Sequence, residues 1–187
     1  MEKILLVGAG GFGRVVLEHA SKAFDCAFVD DGSCIGTVVN GCSVIGRVSD
    51  LEKLHNEYDK LVVTIGNNQL RERIYHVASK IGYNFPNIIA DSAYISPFAE
   101  IGWGCVMLNN VVVQNNAKVG NVVILNPGVE IHHDSKIGNN VLIYTNSVVR
   151  TLAVVGDRAH LGSTLTISNE VCIPEDTIVK DGVTISK

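Results

Sequence analysis

Every sixth residue from Ile95 onward is aliphatic or methionine: Ile95, Ile101, Met107, Val113, Val119, Leu125, Ile131, Ile137, Ile143, Val149, Val155, Leu161, Ile167, Ile173, Val179 and Ile185. If about a third of residues are of this type, such a run arises by chance on the order of once in ten million. No α-helix has a period of six. Four places after each aliphatic the residue is mostly small or β-branched, as at Ala99, Cys105, Val111, Ala117, Val123, Val129, Ser135, Val141, Ser147, Ala153 and Ala159. Two inward positions per hexad predict a short strand and a bend, repeated, with three hexads closing one triangular coil of a parallel β-helix. Such a rod buries its core only by stacking. Glycine follows the aliphatic at Gly102, Gly120, Gly138, Gly156 and Gly162, which predicts turns with positive φ at those places.

The segment before the repeat has a different rhythm. Lys3 to Val7 reads as a strand, Gly8-Ala9-Gly10-Gly11-Phe12-Gly13 as a glycine turn, and Arg14 to Ala23 as a helix. Cys26 to Val29 reads as a second strand ending in Asp30-Asp31. Asp50 is placed to cap a helix over Leu51 to Tyr58, Lys60 to Ile65 forms a buried strand, and Gln69 to Ile81 a helix. This alternation predicts a small α/β, Rossmann-like domain over residues 1–88, followed by the β-helix over 89–187. Phosphate suits a glycine turn that opens a helix, so Gly10, Gly11, Phe12 and Gly13 are candidate binding residues, with Asp30 and Asp31 as acceptors for a ribose or base. Gly66-Asn67-Asn68 follows a strand where ligands of open parallel sheets gather, and it also reads as a plain turn with an Asn cap. The glycine fingerprint admits a dinucleotide-dependent oxidoreductase. Some ninety residues are too few for a full doubly wound domain and a substrate domain together.

Charge and cysteine usage narrow the class. A net charge of −4 with 18% charged residues gives no footprint for nucleic acid or for a membrane surface. The opening MEKILLVGAG has too short an apolar run for a signal-peptide core or a span, which predicts a cytoplasmic protein. Five cysteines (Cys26, Cys34, Cys42, Cys105, Cys172), none in a CxxC pair, read as small buried hydrophobes rather than disulfides or zinc ligands. The histidines offer no metal spacing, and His19, His55, His76 and His160 read as solvated or structural.

GAGGFG near the start, FVDDG one βαβ step later, TIGNN, Ala93-x-Ile95-Ser96-Pro97 opening the hexads and His133-Asp134-Ser135-Lys136-Ile137-Gly138 within them together give the chain a family look. It resembles the hexapeptide-repeat sugar acetyltransferases typified by sialic acid O-acetyltransferase and the N-acetyltransferases of UDP-linked 4-amino sugars. The resemblance implies a left-handed β-helix, a homotrimer with acetyl-CoA between adjacent rods, and a nucleotide-linked sugar held by the first domain. It implies acetyl transfer to an amino group of a nucleotide-activated amino sugar. O-acetylation of a sialic acid-like sugar, or a non-catalytic sugar-nucleotide-binding subunit, are the alternatives.

An acceptor attacking a thioester must shed a proton, and imidazole is the usual base. The resemblance assigns that role to His133, with Asp134 orienting the ring and Asn126 supporting the site. His132 is the competitor, but it directly follows the inward Ile131, at a position glycine fills in other coils. Leu142, Gly162, Ser163 and Gly182 are the positions expected to face the coenzyme. The chain departs from the family pattern at Phe12, where many members carry histidine, at Leu142, where a second histidine is common, and at Thr151-Leu152, where a glycine turn flanks the coenzyme.

Overall fold

A computed structural model describes residues 1–187, which divide into two compact units, Met1–Ile88 and Ile89–Lys187. The first unit is α/β. Strands β1 (Glu2–Val7), β2 (Phe24–Val29), β3 (Val38–Val39), β4 (Cys42–Gly46) and β5 (Lys60–Val63) form one sheet in the order β3-β4-β2-β1-β5. All pairs are parallel except β3 with β4. Helices α1 (Gly11–Ala20), α2 (Leu51–Leu54) and α3 (Asn68–Ile81) complete it. Leu5, Val7, Ala27, Val29, Leu61 and Val63 bury one face of the strands against Leu51, Ile74 and Ala78 of the helices, the usual way such a sheet removes its apolar surface from water.

Three boundaries differ from expectation for local reasons. Helix α1 starts at Gly11, not Arg14, with Gly10 as its extended N-cap, and it ends at Ala20, where Ser21 to Ala23 turn on bonds to Leu17, His19 and Ala20 carbonyls. Asp50 does not cap α2. Its carboxylate accepts the Arg47 N–H at 2.8 Å, and α2 stops at Leu54. Strand β5 ends at Val63 because the Thr64 hydroxyl turns back to the Val7 and Gly8 carbonyls at 2.9 and 2.8 Å.

The second unit is the expected left-handed parallel β-helix. Two-residue strands recur every six residues and pair in parallel with the strand one coil on, as Val112 with Glu130 and Val113 with Ile131. One face carries Tyr94–Ile95, Val112–Val113, Glu130–Ile131, Val148–Val149, Thr166–Ile167 and Thr184–Ile185. A second runs from Glu100–Ile101 to Cys172–Ile173, and a third from Ile88–Ile89 to Ile178–Val179. The aliphatic column and the small residues four places on fill the prism. Cys105 belongs to that core and Cys42 is buried, whereas Cys34 and Cys172 are exposed, Cys172 because Ile173 takes the inward side of their strand.

The hexad glycines are there for another reason than the one expected. Gly102, Gly120, Gly138, Gly156 and Gly162 do not have positive φ. They stack on the next coil so closely that a Cβ on Gly120 would lie 2.8 Å from the Gly138 carbonyl carbon and oxygen. Positive φ falls instead three places past the aliphatic, at Gly104, Asn110, Asn116, Val122, Gly128, Asp134, Asn140, Asn146, Leu152 and onward to Gly182. The left-handed residue turns each corner.

Candidate active site

His133 and Asp134 occupy the corner that follows Glu130–Ile131. Asp134 is the left-handed residue there, with φ 61°, so both side chains leave the rod together, 53% and 42% exposed. The His133 Nδ1 lies 2.7 Å from Asp134 Oδ2. Hydrogen bonding to His133, and then to the Asn116 amide at 3.3 Å, holds the Asp134 carboxyl below the usual carboxylate range. An ionised carboxylate only accepts, so Nδ1 carries a proton, and in the tautomer this fixes the lone pair lies at Nε2. The Thr151 Oγ1 stands 3.1 Å from Nε2 and donates to it. Gln114 Oε1 accepts the His133 backbone N–H at 3.1 Å and braces the turn.

This corner opens on a groove of about 590 Å3, lined by Tyr94, Ser96, Phe98, Gln114, Asn116 and the His–Asp pair among others. Tyr94 and Phe98 are exposed aromatic rings, and Gln114, Asn115 and Asn116 add three neutral amides. A polar, hydroxyl-rich molecule with an apolar ring face suits such walls.

Asn126 is not brought to this corner. It begins the turn between Ile124–Leu125 and Glu130–Ile131, one corner earlier, and its Nδ2 donates to the Ile143 carbonyl at 3.0 Å, tying one coil to the next. His132 turns toward Glu130, 3.4 Å away. His160 packs at a tilt against Tyr144 with ring centroids 5.3 Å apart, and His55 meets Tyr83 edge-on. Leu142 is buried, so it presents no surface to a coenzyme. Gly162 and Ser163 line a second groove of about 590 Å3 with Tyr144, His160, Lys180 and Asp181. There the Ser163 N–H donates to Asp181 Oδ1 at 2.6 Å. Gly182 turns a corner with φ 68° and open space around it.

In the first unit the glycine turn is held from two sides. Gly8 has φ 114°, and Gly13 packs on the Gly8 carbonyl with no room for a side chain. Gly10 and Gly11 open α1 toward solvent, with Phe12 half-buried behind them. Asp30 accepts the Ala9 N–H at 2.8 Å and the Gly32 N–H at 2.9 Å. Burial pushes its carboxyl up, but the bonds from Ala9, Ser33 and Gly32 outweigh it and hold the group low. Asp31 accepts the Val48 N–H at 2.8 Å. Gly8, Asp30, Asp31, Ile65 and Leu70 line a cavity of about 180 Å3 at the carboxyl ends of β1 and β2. Asn67 caps α3 by accepting the Leu70 N–H at 2.9 Å, which is the plain-turn reading of Gly66-Asn67-Asn68. Asn68 accepts from Arg71 at 2.9 Å, and the fully buried Arg71 also donates to the Ile65 and Gly66 carbonyls.

No motif signals Gln114 and Asn116 at the His133 corner, the contact of Thr151 with His133, or Thr64 and Arg71 at the glycine turn. Stepping one coil back from Asp134 to Asn116, and one coil on from His133 to Thr151, would have found two of them. No group of three or more potential metal ligands is present.

With this geometry in place, the class of protein is defined by comparison. The bacterial transferase hexapeptide model (six repeats) matches residues 116–151, and the PglD N-terminal domain model matches residues 3–78. The chain thus joins an α/β N-terminal unit to a rod that carries the transferase hexapeptide repeat. Both units resemble those of PglD-like hexapeptide acetyltransferases, the likeness that the sequence motifs implied. Among solved structures, the acetyltransferase domain of PglB from Neisseria gonorrhoeae FA1090 is 28% identical with a TM-score of 0.94, covering 100% of this chain and 92% of that one. The same domain in complex with acetyl coenzyme A matches at 28% identity and a TM-score of 0.86, over 100% and 96% of the two chains. A mutant of perosamine N-acetyltransferase from Caulobacter crescentus, in complex with CoA and GDP-perosamine, is 26% identical with a TM-score of 0.93, covering 100% and 90%.

Proposed function

We propose that this chain transfers the acetyl group of acetyl-CoA to an amino group of a nucleotide-activated amino sugar, with His133 as general base and Asp134 as its orienting partner. The single observation that carries the reading is the His133–Asp134 pair at 2.7 Å, on an open groove edge, with Nε2 left as the ring's basic atom. The relatives support the substrates: one is a sugar N-acetyltransferase with CoA and a GDP-sugar bound, another binds acetyl coenzyme A.

The chemistry follows from the geometry. The acceptor amine attacks the thioester carbonyl, a C–N bond forms, and the amine proton moves to His133. The imidazolium stands beside the ionised Asp134, which stabilises it. The C–S bond then breaks, and the CoA thiolate takes the proton back. Gln114 and Asn116 keep the pair in register from the coil before. The glycine turn and the N-terminus of α1 hold the sugar-nucleotide phosphates, where free N–H groups and the helix dipole favour an anion; Gly66 to Asn68 join Ile65 to Leu70, which both line the neighbouring cavity.

The groove beside His133 is open, and a second rod would close it. A homotrimer is therefore the proposed assembly, with the donor held between neighbours near Gly162, Ser163 and Gly182. No helix is long and apolar enough to cross a membrane; a cytoplasmic reaction, where acetyl-CoA is at hand, is part of the proposal.

Thiol release from acetyl-CoA, measured against UDP-, dTDP-, GDP- and CMP-linked amino sugars, tests the reading. Release with one acceptor that falls by about 10²- to 10⁴-fold in His133→Ala supports it. Silence with every acceptor, or full turnover in His133→Ala, refutes it.

A further inference from the structure

The geometry points to Thr151 as a proton relay between the acceptor amine and His133. The inference rests on the base assigned above. Thr151 lies one coil beyond His133, at the same corner, and its hydroxyl faces Nε2 at 3.1 Å. The other ring nitrogen is engaged by Asp134. The one lone pair that can receive the acceptor's proton is thus already occupied by the Thr151 hydroxyl proton.

An acceptor can reach Nε2 only by displacing that hydroxyl or by passing its proton through it. Displacement is opposed by how the turn is fixed. The Leu152 N–H reaches back to the His133 carbonyl at 3.4 Å, and the Thr151 carbonyl accepts the Glu170 N–H of the following coil at 3.1 Å. The threonine is also β-branched, which restricts its χ1. Passage costs less. Oγ1 makes no other side-chain bond, so while it donates to Nε2 its lone pairs remain available to accept a proton from the amine.

In the relayed step the C–N bond forms on the thioester carbon as the amine proton moves to Oγ1 and the hydroxyl proton moves to Nε2. The hydroxyl is regenerated within the same step. When the C–S bond breaks, the thiolate is protonated by the imidazolium through the same oxygen, and amine plus thioester becomes amide plus thiol. Thr151→Gly, Ala or Val removes the relay, and Thr151→Ser preserves it.

The test uses the full-length protein with acetyl-CoA and whichever nucleotide-linked amino sugar supports thiol release. Thr151→Val keeps the shape without the hydroxyl; the expected result is a kcat lower by about 10- to 100-fold with both KM values within about threefold. Thr151→Ala repeats the measurement should valine perturb the fold. Thr151→Ser should recover most of the loss. The rate in mixtures of H2O and D2O should fall along a curve in the wild type and the serine variant, reporting two protons in flight, and along a line in the valine variant. The 15N resonance of His133 Nε2 should shift on loss of the hydroxyl donor. Undiminished kcat in Thr151→Val or Thr151→Ala, or a linear isotope plot in the wild type, overturns the relay. Full turnover in His133→Ala overturns the base itself, so the two failures are distinguishable.

Discussion

Replacing Gly120 by alanine is a direct test of how the coils hold together. The added Cβ would lie 2.8 Å from the carbonyl carbon and oxygen of Gly138 and 2.9 Å from the Asn139 nitrogen, all backbone atoms that no rotamer change can move. Ordinary packing needs about 3.5 Å, so the two coils must part by about 0.7 Å. Two ladder bonds cross this junction at 2.9 Å, Lys118 N–H to the Ser135 carbonyl and Gly120 N–H to the Ile137 carbonyl. Stretching both forfeits about 0.5–1.5 kcal/mol each, and the overpacking itself costs about 1–3 kcal/mol. A loss of about 2–6 kcal/mol lowers the melting temperature by roughly 4–24 °C in a chain of this size. Trp103, the sole tryptophan, follows Gly102, which stacks directly on Gly120, and its backbone N–H is bonded to Asn121 in the same junction at 3.1 Å. Its fluorescence therefore follows the melting of this unit. A Gly120→Ala protein that melts within 1 °C of wild type would show that the coils absorb the methyl group, and the stacking argument would be wrong.

Gly104→Asn should have the opposite outcome, a melting temperature within about 3 °C of wild type by the same fluorescence, because φ 69° is a corner conformation that Asn110, Asn116 and Asn146 adopt elsewhere in the rod. The Asp30 carboxyl has a folded pKa below its unfolded value of about 3.9, so its contribution is complete above that pH and is lost as the pH falls through the folded value. Circular-dichroism melts of Asp30→Asn should therefore show a weaker acid destabilisation below about pH 4 than wild type, with the two converging as the pH drops. Cys34 and Cys172 are exposed, whereas burial pushes the thiols of Cys26 and Cys105 up to about 12 and about 11. Alkylation by iodoacetamide at pH 8, read by peptide mass spectrometry, should label Cys34 and Cys172 first and leave Cys105 unmodified in the folded protein.

The rod was legible in the sequence because a period of six leaves the aliphatic column no other way to be buried. What the column could not reveal was which neighbour each residue meets. Gly102, Gly120, Gly138 and Gly156 look like turn glycines when each is read with its own flanks. Read one coil apart they stack on one another. The true corner residues were hidden by propensity, since Val122 and Leu152 adopt positive φ although neither is a turn former; the register of the coil overrides the local preference. His133 and Asp134 were legible as a pair because they are adjacent in sequence and share one corner. Within one chain Asn126 stands apart from them for a related reason. Seven residues is one hexad and one step, which carries it to the preceding corner, where it ties Ile143 instead. In the first unit the glycine turn was plain, but Asp30 and Asp31 were read as facing a ligand, and the structure shows each also accepting backbone N–H groups.

The same register explains why chemistry can sit at one corner of the prism and not at another. At the corner of Trp103, side-chain oxygens hold the stack: Asn121 accepts the Trp103 N–H, Asn139 the Asn121 N–H and Asp157 the Asn139 N–H. Changing any of them leaves a backbone donor without its partner. At the His133 corner the arrangement shifts by one residue. Gln114, from the preceding coil and one place earlier in its turn, takes the His133 N–H, so the residue one coil on, Thr151, is not needed by the backbone. Its hydroxyl is free to face the imidazole. The ladder is completed by an amide that stays in the wall of the groove, and the side chains thereby released are the histidine, the carboxylate beside it and the hydroxyl above. A rod whose stability comes from its aliphatic column can carry reactive groups at such a corner, because altering them removes neither core volume nor a ladder bond.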